Sequence, residues 1–171
     1  EANLKVPPAK TLAMSSPLLA NLVIRNPEFL KKTKPFTTGG IQLRPSLRND
    51  FAVKDTMSIY IQLDGLTDDI RNAGGLEFTI TKEDKPFQSF ARALKDYADP
   101  VHVVEDVPLT HFSPAYYTVK AALLDGSKTE VVSGKATFYV SLSPEVPRAW
   151  ILYPPLPPPG DPYYADAVGM Q

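Results

Sequence analysis

The alternation within Tyr116–Ser141, YYTVKAALLDGSKTEVVSGKATFYVS, limits the possible folds more than any other stretch. Tyr117, Val119, Ala121 and Leu123 recur at every second position, with Thr118 and Lys120 between them. Ala136, Phe138 and Val140 alternate in the same way with Thr137, Tyr139 and Ser141. A period of two puts one set of side chains on one face of a strand and the other set on the opposite face. Asp125-Gly126 stands between the halves, where a hairpin needs residues that accept positive φ. The stretch reads as a β-hairpin with one face in a core and one in water. The rest of the chain must supply strands to cover the core face.

Those strands are legible in turn. Ile41–Leu43 follows a turn at Gly39-Gly40. After a turn over Phe51–Asp55 comes Thr56–Leu63, with Met57, Ile59, Ile61 and Leu63 facing in and Ser58, Tyr60 and Gln62 facing out. A polar loop, Asp64–Gly75, leads to Leu76–Lys82, and Glu83-Asp84-Lys85-Pro86 turns the chain. Ser89–Tyr97 is the one plausible short helix, with Ser89 as its cap; the alternative is a strand-to-strand crossover. Val101–Val107, Tyr116–Leu124 and Glu130–Ser141 complete six strands, and Leu12–Ile24 adds an irregular one packed along the domain. Short strands at this spacing predict an all-β, immunoglobulin-like antiparallel sandwich of about seven strands. Tyr117 suits a core tyrosine, of the kind whose hydroxyl ties back to the preceding loop in such sandwiches.

Proline divides the chain: there are 18 in 171 residues. Single prolines between apolar runs suit short strands, because proline is excluded from central ladders and helix interiors. Eight fall after Ser143, and ILYPPLPPP (Ile151–Pro159) predicts an extended polyproline II run. Asp161-Pro162 then opens a helix over Tyr163–Gln171. The expected organisation is an extended N-terminal segment over residues 1–34, a sandwich over 35–143, and a proline-rich tail over 144–171. The chain begins at Glu1 with no Met, which suits either a processed mature form or a piece of something longer.

Few chemistries find their residues here. With no cysteine, disulfides and thiolate sites are excluded within this chain. A net charge of −1 provides no field for nucleic acid, and the basic cluster Arg25, Lys31-Lys32-Thr33-Lys34, Arg44 and Arg48 reads as solvated loop. No apolar run approaches the ~20 residues that span a bilayer. His102 and His111 lie on different elements without companions at ligand spacing. No serine sits in a nucleophile elbow, and neither Gly-Gly pair is followed by the Lys-Ser/Thr of a phosphate loop. Asp64, Asp68 and Asp69 crowd a glycine-rich loop, but without EF-hand spacing they read as a polar turn rather than a calcium site. The expectation is no enzyme, no cofactor and no metal. What remains is aromatic. Trp150, Ile151, Tyr153, Leu156, Tyr163 and Tyr164 surround the proline run and form the candidate partner-binding surface. The alternative is carbohydrate binding, with Trp150, Tyr153 and Tyr60 as sugar platforms.

Three segments together carry a family resemblance: TLAMSSPLLA (Thr11–Ala20), KPFTTGGIQLRPSLRNDFAVKDTMSIYIQL (Lys34–Leu63) and VPLTHFSPAYYTVKAALLDGSKTEVVSGKATFYV (Val107–Val140). They resemble a β-sandwich module of exported Acidobacteria-type proteins, some of which carry a von Willebrand A-like domain and some a GWxTD domain. Ser113-Pro114-Ala115 stands where that family usually has Pro-Gly before the tyrosine, and neither the von Willebrand nor the GWxTD signature lies within this chain. The resemblance implies a bacterial, exported module at the periplasm or cell surface. Its expected role is structural or protein-binding, as an accessory subunit docked to protein partners or to neighbouring copies. It supplies no catalytic residues.

Overall fold

The structure, a computed structural model, describes residues 11–26 and 37–142. These residues are mostly strand, arranged in two sheets whose facing sides close one core, an all-β sandwich. Trp150, Ile151, Tyr153, Leu156, Tyr163 and Tyr164, the expected polyproline run and the expected C-terminal helix lie outside the described residues. Among the described residues no helix is long and apolar enough to cross a membrane.

The strands in chain order are β1 (Ala13–Met14), β2 (Leu18–Arg25), β3 (Thr37–Thr38), β4 (Ile41–Pro45), β5 (Asp50–Ala52) and β6 (Thr56–Asp64). After a six-residue helix, α1 (Asp68–Ala73), come β7 (Gly75–Lys82), β8 (Lys85–Ala93), β9 (His102–Pro108), β10 (Ala115–Leu124) and β11 (Glu130–Ser141). The six runs read from the sequence are all strands, with ends shifted by at most two residues. In the first sheet β6 is central. It pairs with β9 along one edge and with β1 and β2 along the other; β2 then passes to β4, and β4 to β3. The second sheet has the order β5-β11-β10-β7-β8, antiparallel except for the β5–β11 pair.

The core is the set that the alternation selects. Tyr117, Val119, Ala121, Leu123 and Phe138 from the second sheet meet Met57, Ile59, Ile61 and Leu63 from the first, all buried. Phe112 and Phe51 pack edge-on or tilted against Tyr117 and Phe138 at 5.0–6.2 Å between ring centres. Each such side chain removed from water contributes about 1.5–3 kcal/mol. The Tyr117 hydroxyl donates to the Ser113 carbonyl at 2.9 Å and accepts from the Ser113 N–H at 3.1 Å. It ties β10 to the loop before it, as its position in the sequence suggested.

Three local expectations are overturned. Ser89–Tyr97 is not a helix. Glu83 and Asp84, both at positive φ, form a two-residue hairpin, so β8 runs straight back along β7 with Ser89 opposite Thr79 and Phe90 stacked on Phe78 at 4.9 Å. Pro86 is tolerated because β8 is an edge strand. Only Leu94–Asp96 makes a single 3-10 turn. The expected polar loop Asp64–Gly75 contains α1, capped by the Thr67 hydroxyl, which accepts from the Ile70 N–H at 3.4 Å. In the β10–β11 connection the positive φ falls on Lys128, not Gly126. Asp125 organises that loop by accepting from the N–H groups of Ser127 and Thr129 at 2.8 and 2.9 Å. Gly126 serves another need: a β-carbon there would sit 3.0 Å from Ala73 of α1.

Candidate functional site

The first sheet has an unexpected outer face. Alternation put Ser58 and Tyr60 in solvent, yet Tyr60 is only 6% exposed and Ser58 only 5%. The reason is curvature. A bulge between Ala20 and Leu22 bends β2, and the tight turn Thr38-Gly39-Gly40-Ile41 has both glycines at positive φ. The sheet curls until that turn meets β9, at the sheet's other edge. Gly39 lies so close to the His102 ring that any β-carbon there would overlap it. Inside the curl a second apolar cluster forms from Ile41, Leu43, Tyr60 and Val104, with Val23 packed against it.

Polar bonds between the paired strands β6 and β9 line the curl. The Tyr60 hydroxyl and His102 Nδ1 are 2.9 Å apart, and their rings lie nearly parallel at 6.2 Å. Burial pushes the Tyr60 hydroxyl above the ordinary tyrosine range; a hydrogen bond with Thr38 opposes this shift and the charge of Asp99 adds to it. Ser58 donates to Asp106 Oδ1 at 2.6 Å on the same face. At the seam between the sheets, Glu105 of β9 is 9% exposed. It accepts from the Tyr97 hydroxyl at 2.7 Å and lies 3.7 Å from Arg92 of β8. Burial first, and then that donation to Glu105, push Tyr97 far above the ordinary range.

The curl leaves a cleft of about 510 Å³. Ile41 and Val104 are its apolar floor, and Gly39, Gly40 and His102 line it where the turn meets β9. Arg25 and Asn26 enter from the end of β2, while Asp96, Tyr97, Ala98 and Asp99 enter from the crossover between β8 and β9. A second opening, about 710 Å³, lies where the β4–β5 connection meets the ends of β5 and β11. Asn21, Asp50, Phe51 and Tyr139 line it, together with Leu47, which is 98% exposed.

The sequence-derived site residues fare unevenly. The tail aromatics lie outside the described residues. Tyr60 cannot serve as a sugar platform, because its ring is inside the curl and its hydroxyl is bonded. Another aromatic pair lies elsewhere: Tyr116, 70% exposed, packs on half-buried Tyr139 at 4.8 Å on the outer face of the second sheet. Asp68 and Asp69 belong to the first turn of α1, where carboxylates favour the helix N-terminus, and Asp64 accepts from the Gly65 N–H at 2.8 Å. Among the described residues no three His, Asp or Glu side chains gather as metal ligands would. Sequence reasoning missed the cleft. Its only sequence signals were Gly39-Gly40 and a histidine facing out of its strand. No protein-family model matches the chain, and no curated protein matches it.

Proposed function

We propose that this chain is a non-catalytic, immunoglobulin-like scaffold and protein-interaction module of the bacterial cell envelope, exported and docked within a larger assembly through Trp150–Tyr164. What carries this reading is the use made of buried Glu105 and half-buried His102. Glu105 joins the sheet edges through Tyr97 and Arg92, and His102 bonds the Tyr60 hydroxyl across the paired strands β9 and β6. Each spends its bond on a tyrosine hydroxyl that burial keeps protonated, Tyr97 and Tyr60, which suits a structural tie better than an activated nucleophile. The immunoglobulin-like assignment is supported by the Tyr117–Ser113 tie and by the β5-β11-β10-β7-β8 order. The tail's sequence predicts an aromatic polyproline II segment, and a segment of that kind loses little entropy on docking, which suits it to partner binding.

The test is deletion of Trp150–Gln171. The truncated chain should melt within a few degrees of the full chain and lose its co-purifying partner from the native envelope. Unfolding on deletion would place the tail in the chain's own core. Unchanged binding would move the interface to the sheets. A second reading, carbohydrate binding, is favoured by exposed Tyr116 packed on half-buried Tyr139. A glycan array with Tyr116→Ala as control separates it from the first: glycan binding lost in the variant would establish it.

A further inference from the structure

We propose that the cleft inside the curled sheet binds a small zwitterion with an apolar body, of the class of an apolar amino acid or dipeptide. Its volume, about 510 Å³, lies within the range of small-molecule sites, and its floor, Ile41 and Val104, is apolar as such sites are. The charges are what select the ligand. Arg25 enters from β2, and Asp96 and Asp99 enter from the crossover, a separate element. Among the described residues the ion pairs are Arg92–Glu105 and Lys120–Glu130, so these three cleft charges do not neutralise one another. Opposite charges held on different walls of one cleft, over an apolar floor, complement a molecule that carries both charges around an apolar centre. A carboxylate faces Arg25, whose planar fork suits it, and an ammonium faces Asp96 and Asp99 beside the Tyr97 ring.

Part of the wall is also pre-formed. His102 is held by Tyr60 and wedged against Gly39, and Asp99 is oriented by the Val101 N–H, which donates to its Oδ1 at 2.9 Å. Wall residues that need no reorganisation lower the cost of binding.

The test titrates the full chain with three probes: Leu-Leu, Leu-Leu amide, which lacks the carboxylate, and N-acetyl-Leu-Leu, which lacks the ammonium. Leu-Leu should bind saturably at millimolar concentration or below, and each singly charged analogue about tenfold more weakly, the loss of one charge-assisted contact. Arg25→Gln should abolish the preference for Leu-Leu over its amide. Asp99→Asn, which keeps an oxygen to accept from Val101, should weaken the preference over the N-acetyl form. Unchanged melting temperatures establish that both variants are folded. Absence of saturable Leu-Leu binding, equal binding of the three probes, or indifference to both substitutions in folded protein would each overturn the proposal.

Discussion

Phe138 and Tyr139 are neighbours in sequence with opposite fates: one is sealed between the sheets, the other packs on Tyr116 at the surface. Phe138→Ala should cost about 3–5 kcal/mol in urea denaturation, the transfer and cavity cost of a buried ring, and Tyr139→Ala much less. Equal losses would break the alternation that organises the whole fold. The Tyr117 hydroxyl bonds to both backbone groups of Ser113, so Tyr117→Phe, which keeps the ring, should cost about 1–2 kcal/mol. Tyr97 makes a pH prediction. Its folded-state pKa is raised, so the folded protein holds that proton more tightly than the unfolded chain does. Its contribution is fully present below the unfolded value of about 10 and declines as pH rises beyond it. Tyr60 shifts the same way. The melting temperature should therefore fall above about pH 10, and less steeply in Tyr97→Phe; identical profiles would refute the assignment.

At the scale of elements, what the sequence made legible is what a period of two encodes. β7, β10 and β11 each alternate against a single core and were readable; β6 was readable too, although the curl buries Ser58 and Tyr60 on its other face. β8 was not, because it is an edge strand. Phe90 packs on the core while Lys85–Ser89 is exposed, so no clean alternation survives, and the spacing of Phe90, Ala91, Ala93 and Leu94 imitates a helix. The deciding signal was the tight Glu83-Asp84 turn, carried by two non-glycine residues at positive φ. α1 escaped for the opposite reason: six residues with no buried side chain leave no apolar stripe to detect. Its cap also bears on the acidic cluster. Asp68 and Asp69 lie in the first helical turn, so calcium should leave the melting temperature unchanged; a calcium-dependent rise abolished by Asp68→Ala would reverse that reading.

At the scale of the whole molecule, the cleft and the sheet closures unite residues far apart in sequence, which is why local patterns could not reveal them. Arg25, Gly39 and Asp99 share one cleft, and Phe51 pairs with Val140. The same separation sets an order of folding. β10 and β11 pair across ten positions through a short loop, whereas β5 adds three residues to β11 only after a long loop closes. The hairpin should therefore be formed in the transition state and the β5 closure should follow it. Folding should take milliseconds to seconds, as for other sheet proteins dominated by distant pairings. Val119→Ala, in the hairpin, should slow folding in proportion to its loss of stability. Phe51→Ala, costing about 3 kcal/mol or more, should leave the folding rate nearly unchanged and accelerate unfolding roughly a hundredfold. Chevron plots of both variants decide the matter. If Phe51→Ala slows folding while Val119→Ala chiefly speeds unfolding, the sandwich nucleates at its parallel seam and the hairpin docks onto it afterwards.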